Sequence, residues 1–307
     1  KNTSVLTGFF GRVQFNVDDT YFLTASVRHE GSSQFGANNK WGTFPAVSGG
    51  VNLANVLDLP NVDNLKFRAG YGQTGQLPPN PYISLQRFGE TGSSFFFDGA
   101  FVPSYGPASN PNPDLKWEVK EEVNIGVDFA FNDFMFVGSV DYFNTITNDL
   151  IFEIGVPVPP NQFPNTFLNI GEIQNSGLEA TLEIAAISNE DFTWKTAING
   201  TYFIQSELRN FLDGADGFRD LANLGSPGQN GTPLVRVQEG QPIGQLWGLV
   251  YEGIDDDGNW IFADTNGDGN PGQNDDRAVI GQGLPDFQLG WNNTFNFGNF
   301  DLNFFFR

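Results

Sequence analysis

Gly177-Leu178-Glu179-Ala180-Thr181-Leu182-Glu183-Ile184 is the stretch on which the fold turns. Leu178, Ala180, Leu182 and Ile184 alternate with Gly177, Glu179, Thr181 and Glu183, giving an extended chain one apolar face and one polar, charged face. The same period of two recurs outward in both directions. Val13, Phe15 and Val17 alternate with Arg12, Gln14 and Asn16, and Leu65, Phe67, Ala69 and Tyr71 with Lys66, Arg68, Gly70 and Gly72. Val123, Ile125, Val127 and Phe129 alternate with Glu122, Asn124, Gly126 and Asp128, and Phe287, Leu289 and Trp291 with Gln288, Gly290 and Asn292. No comparable 3.6-residue pattern occurs.

The alternation predicts strands near 8–17, 20–30, 42–53, 64–73, 116–130, 134–146, 176–187, 192–205, 285–297 and 300–307. Their connections alternate in length. Asp18-Asp19, 54–63, 131–133, 188–191 and Gly298-Asn299 are short, whereas 31–41, 74–115, 147–175 and 206–284 are long. Tight turns at one end and long loops at the other are the mark of a transmembrane barrel. Phe129, Phe134, Phe192, Trp194, Phe297 and Phe300 flank the short turns, where an interfacial girdle belongs. Arg28, Lys66, Arg68, Glu179 and Glu183 on the polar faces do not suit a dry soluble core. The fold class predicted is all-β: a partial antiparallel transmembrane β-barrel of about ten strands.

Composition agrees. The 307 residues hold 32 Phe and 37 Gly, with one Met, one His and no Cys, a strand-and-turn inventory. Absence of Cys removes disulfides, thiolate metal sites and a Cys nucleophile. With 15 basic against 36 acidic side chains the formal charge is −21, which argues against a nucleic-acid partner. No apolar run reaches the length of about 18 residues that a transmembrane helix needs. Lys1-Asn2-Thr3-Ser4 carries no signal-peptide features.

Several motifs then stand in order along nearly the whole chain. They are Gly31-Ser32-Ser33-Gln34-Phe35-Gly36 with Trp41-Gly42-Thr43-Phe44-Pro45, Leu65-Lys66-Phe67-Arg68-Ala69-Gly70-Tyr71-Gly72-Gln73-Thr74-Gly75, and Asn112-Pro113-Asp114-Leu115-Lys116-Trp117-Glu118. Asn169-Ile170-Gly171-Glu172-Ile173-Gln174-Asn175-Ser176-Gly177-Leu178-Glu179, Pro242-Ile243-Gly244 and Pro285-Asp286-Phe287 follow. The ordered set resembles the SusC/RagA family of TonB-linked outer-membrane proteins of Bacteroidetes.

That resemblance implies a barrel of about 22 strands closed by an N-terminal plug. It implies import of large nutrients, oligosaccharides or peptides, under a SusD-like surface lipoprotein, with TonB supplying energy. Residues 1–307 then read as a segment of barrel wall with long extracellular loops near 74–115, 147–175 and 206–284, and with neither plug nor TonB-contacting segment. An open sheet would leave edges unpaired in hydrocarbon, so the segment is expected to be completed by further chain.

Asp264-x-Asn266-x-Asp268-Gly269 has calcium-loop spacing, with oxygen ligands at positions 1, 3 and 5, the Asn270 carbonyl at 7 and Asp275 at 12. Asp276, which precedes Arg277, is the alternative closing carboxylate: in the family the position-12 carboxylate stands before the Arg, which implies one extra residue near Pro271-Gly272. A structural calcium would pin the long loop; the competing reading is an Asp/Asn/Gly-rich turn. Asp255-Asp256-Asp257-Gly258 reads as a solvated acidic turn. Tyr82, Phe95, Phe96, Phe97, Tyr105, Trp247, Tyr251 and Trp260 suit sugar stacking, lid contacts or loop packing alike. His29, the sole histidine, anchors no triad or zinc site, so no catalytic residue is expected and the chain does not read as an enzyme. The alternative function is a soluble extracellular β-sandwich that binds glycan through a calcium-stapled loop; solubility in buffer without detergent would identify it.

Overall fold

A computed structural model describes residues 3–211, 218–225, 231–272 and 274–307. Parts of the long connection expected at 206–284 (212–217, 226–230 and 273) lie outside the described residues.

Ten strands form one sheet: β1 (Leu6–Val17), β2 (Tyr21–Ser32), β3 (Trp41–Asn52), β4 (Val62–Gln76), β5 (Glu118–Phe131), β6 (Phe136–Asn148), β7 (Glu172–Ser188), β8 (Phe192–Arg209), β9 (Phe287–Phe297) and β10 (Phe300–Phe306). Each is antiparallel to the next, in sequence order. All ten strands read from the alternation are present. Several run further than it reaches, because beyond the apolar zone neither face needs to be hydrophobic. Glu172-Ile173-Gln174-Asn175-Ser176 extends β7 in this way.

Turn chemistry sets the register at the short end. Asp18 and Asp19 both take positive φ, 52° and 48°, and Thr20 N donates to Val17 O at 3.0 Å. A two-residue turn of that hand matches the twist of the flanking strands. Asn132, Asp133 and Phe134 repeat the left-handed conformation between β5 and β6, where the Phe134 amide donates to Asp63 Oδ2 at 2.9 Å.

The pairing puts Phe15, Leu23, Val47, Phe67, Ile125, Val140, Leu178, Ile198, Leu289 and Leu302, one from each strand, on a common face. All of them are exposed. Among the described residues no second sheet covers this face, as a β-sandwich would require. A continuous band of bare aliphatic and aromatic groups needs a hydrocarbon surround instead. Near the short turns the band becomes aromatic: Trp194 stacks on Phe295 at 5.6 Å and Phe129 on Phe131 at 5.5 Å.

The long connections hold structure that alternation did not show. Phe88–Phe97 pairs with Ala100–Pro107, and Ile151–Gly155 with Asn165–Asn169. Phe218–Asn223, Pro233–Gln238, Gln245–Leu249 and Arg277–Gln282 form a four-stranded sheet, and Tyr251–Ile254 pairs with Trp260–Phe262.

Candidate functional site

The polar face of the sheet carries an ionic network. By register, Arg68, Gly126, Asp141, Glu179, Thr201 and Gln288 form one lateral row across β4 to β9. Arg68 Nε donates to Asp128 at 3.1 Å, Nη1 to Asn124 Oδ1 at 3.2 Å and Nη2 to Asp141 Oδ2 at 2.7 Å. Its Nη1 also lies 2.7 Å from Asp141 Oδ1. A planar guanidinium with five donors suits such divided recognition. Gly126 lies under the bridge, and a Cβ there would come within 2.3 Å of Asp141 Oδ1 and 2.9 Å of Arg68 Cζ.

At the long-loop end, the motifs quoted above converge on each other. Phe35, Phe44 and Trp117 form a buried cluster, with the Phe35 and Trp117 rings 4.4 Å apart. Trp117 Nε1 donates to Lys40 O at 3.2 Å. The Gly36 amide donates to Leu115 O at 3.0 Å and the Asn38 amide to Pro113 O at 3.1 Å. A Cβ at Gly36 would stand 2.1 Å from Pro113 O, so only glycine permits this approach. The segment 33–40 is thereby laid along Asn112–Trp117.

Asparagine side chains join that unit to the next connection. Asn110 Oδ1 accepts from the amides of Gln162 and Phe163 at 3.0 and 3.1 Å, and its Nδ2 donates to Phe163 O and Asn165 O at 2.7 and 2.9 Å. Asn112 Nδ2 donates to Phe167 O, and Asn169 both accepts from Lys116 N and donates to Lys116 O. These carboxamides replace strand pairing between 77–117 and 149–171. Leu150, Leu208 and Phe211 make a second buried cluster, with Ile243 of the four-stranded region packed against it. Alternation has no sensitivity to such clamps. The Asn-Pro-Asn-Pro run at 110–113 was the available signal, since proline leaves carbonyls that need other partners.

The acidic loop closes on itself. Asp264 Oδ1 accepts from Gly267 N and Asp268 N at 2.8 and 3.1 Å, and Oδ2 from Gly269 N at 2.8 Å. Asn266 Oδ1 accepts from Asp268 N, and Asp268 Oδ1 from Asn270 N. Asp276 is fully buried and its Oδ1 accepts from Thr265 N at 3.0 Å, whereas Asp275 is exposed. Asp276, not Asp275, therefore returns to the start of the loop. The donors suit calcium in kind, being hard oxygens only. Among the described residues, however, no three acidic or histidine side chains gather into a metal-holding cluster. Asp255 caps a separate hairpin turn, accepting from Asp257 N at 3.0 Å and Asn259 N at 2.7 Å. The amide of Asn259, with help from its side chain, holds the Asp255 carboxyl below its ordinary value.

The remaining residues singled out in the sequence lie apart. His29 stacks on Trp41 at 4.9 Å and bonds Thr43 Oγ1, on the apolar side of the sheet. Trp247 lies under the Arg236 guanidinium at 3.9 Å, so it packs within its own sheet. Phe95, Phe96, Phe97 and Tyr105 project from the 88–107 hairpin, largely exposed.

The family model described as TonB dependent receptor-like, β-barrel, matches residues 1–306. The chain belongs to that family. TonB-dependent receptor barrels are outer-membrane receptors and transporters, not enzymes, and the bare apolar face is accordingly a lipid-facing surface. TonB-dependent receptor P3 of Formosa agariphila is 32% identical, over 100% of this chain and 32% of that protein. TonB-dependent receptor SusC of Bacteroides thetaiotaomicron is 29% identical, over 99% of this chain and 31% of that protein. The RagAB peptide importer in its open-open state superposes with a TM-score of 0.80 at 22% identity, covering 98% of this chain and 32% of that chain, which bears on fold alone. The chain thus spans about a third of the length of the relatives it matches.

Proposed function

We propose that this chain forms barrel wall and loop mouth of a TonB-dependent importer of large nutrients, oligosaccharides or peptides, working with a SusD-like surface lipoprotein and with TonB. The observation that carries the reading is the two-faced sheet: apolar side chains bare on one side, the Arg68 network and free carboxylates on the other, and the structured connections at one end. Membership of the TonB-dependent receptor family and the similarity to SusC support the importer reading; the two cargo classes are those that the resemblance to the SusC/RagA family implies. The wall seals off lipid and the clamped loops hold a fixed rim on which a lid can seat. Energised work falls to parts outside this chain.

Uptake by cells carrying the complete protein tests the reading. Fluorescent oligosaccharides and peptides are expected to accumulate only while the proton-motive force and TonB are intact, and a lipoprotein is expected to co-purify. Uptake indifferent to both conditions would refute it.

The 264–276 loop is proposed to take a structural calcium ion, held by Asp264, Asn266, Asp268, the Asn270 carbonyl and Asp276. Bound there, the ion would stiffen the loop beside the Arg277–Gln282 strand.

A further inference from the structure

On the polar face below the four-stranded sheet lies a cavity of about 900 Å³. Its floor comes from β5 to β9 and its roof from Pro242, Ile243 and Leu284. The volume lies within the range of ordinary ligand pockets. Four carboxylates line it, Glu122, Glu179, Glu207 and Asp286, against one ammonium, Lys120. Lys120 is already paired with Glu122 at 2.9 Å, and Glu207 is paired with Arg209. Glu179 and Asp286 have no cationic partner among the described residues, and Glu179 is exposed toward the cavity. Phe143 and Phe203 meet edge to face at 6.3 Å on the same wall, offering a π surface beside the carboxylates.

We propose that this cavity is a cargo subsite for ligands bearing ammonium or guanidinium groups, and that it disfavours polyanions. The inference rests on the importer reading and adds the charge class of the cargo. A cleft lined by an excess of one sign of charge focuses the field and raises the local concentration of the opposite ion. Aromatic edges next to the carboxylates provide apolar contact for an aliphatic stem or a pyranose ring. A basic peptide and an amino-sugar oligomer share this chemistry.

Titration of the complete protein in detergent distinguishes the sources. The probes are tetralysine, a glucosamine tetramer, the N-acetylated form of each, and an oligogalacturonate. At least one cationic probe is expected to bind about tenfold more tightly than its acetylated form, with affinity falling as salt rises. Which probe does so names the source. The Glu179→Gln, Asp286→Asn double variant is expected to weaken that probe about fivefold while leaving the acetylated form unchanged. Equal binding of acetylated and free amines, tighter binding of oligogalacturonate, no binding of any probe, or an indifferent double variant would overturn the proposal. TonB-dependent uptake in cells is scored separately. Energised import of an anionic cargo would defeat the subsite and leave the importer standing, whereas loss of energy dependence would defeat the importer.

Discussion

Arg68 of β4 reaches across the whole width of β5 to hold Asp141 of β6, Nη2 to Oδ2 at 2.7 Å, and it can do so because residue 126 between them has no side chain. One guanidinium thus ties three neighbouring strands on their polar face. Replacing Arg68 with Ala leaves Asp128 and Asp141 without their cation. Arg68 and Asp128 are about a third exposed while Asp141 is buried, so the expected loss is about 1–3 kcal/mol, with solvent screening only part of the repulsion. Gly126→Ala should cost a similar amount by displacing the bridge. The two losses should be far from additive, since they remove the same interaction. Denaturant unfolding of the complete barrel in detergent measures both.

The asparagine clamps separate mouth from wall. Asn110→Ala removes four hydrogen bonds to the 162–165 segment and should loosen the mouth by about 1–3 kcal/mol. Limited proteolysis should cut within 77–117 and 149–171 several times faster than in the parent, with the melting of the barrel little changed.

Trp117 is the larger support of the same region. Truncating this buried ring to Ala empties the cluster with Phe35 and Phe44, at a cost of about 3–5 kcal/mol to local opening. Hydrogen exchange should accelerate first at Gly36 and Asn38, whose amides are held by Leu115 O and Pro113 O. Exchange at Leu178 or Ile198 in the wall should not change.

Asp255 sets the acid limit of its hairpin. Its carboxyl is held below the ordinary value by the Asn259 amide, so its stabilising effect is complete above the ordinary carboxylate range. That effect fades as pH falls through the lowered value. Amide exchange at Asp257 and Asn259 should therefore rise only in acid, and Asp255→Ala should abolish the pH dependence by exposing both amides at neutral pH.

Calcium binding assigns unequal weights to adjacent residues. Calorimetry should show a saturable heat that Asp276→Ala removes or weakens more than tenfold, while Asp275→Ala changes it less than about twofold. Equal effects, or no heat in the parent, would contradict the assignment.

The wall was legible because lipid imposes a strict rule. In strands such as β7, every second residue from Leu178 to Ile184 must be apolar, and a period of two survives in the sequence. Beyond the apolar zone that rule lapses. Phe95-Phe96-Phe97 places apolar groups on both faces of a strand, and the Asn110 and Asn169 clamps use side chains in place of ladders. Neither arrangement has a period. The acidic loop was legible as a spacing of oxygens, but not its closure: a single residue decides between Asp275 and Asp276, and that decision depends on backbone path. The Arg68–Asp141 bridge joins residues 73 positions apart through a glycine, and no local pattern encodes it.

The central claim is that alternate residues of one strand face lipid and lumen, and the absence of cysteine from this chain keeps the segment free of background labelling. Single cysteines placed at 178 to 183 in the complete protein can be spin-labelled in native-like bilayers. Accessibility to oxygen should then peak at 178, 180 and 182, and accessibility to a water-soluble nickel chelate at 179, 181 and 183. Labels that show the same accessibility at both parities would contradict the account.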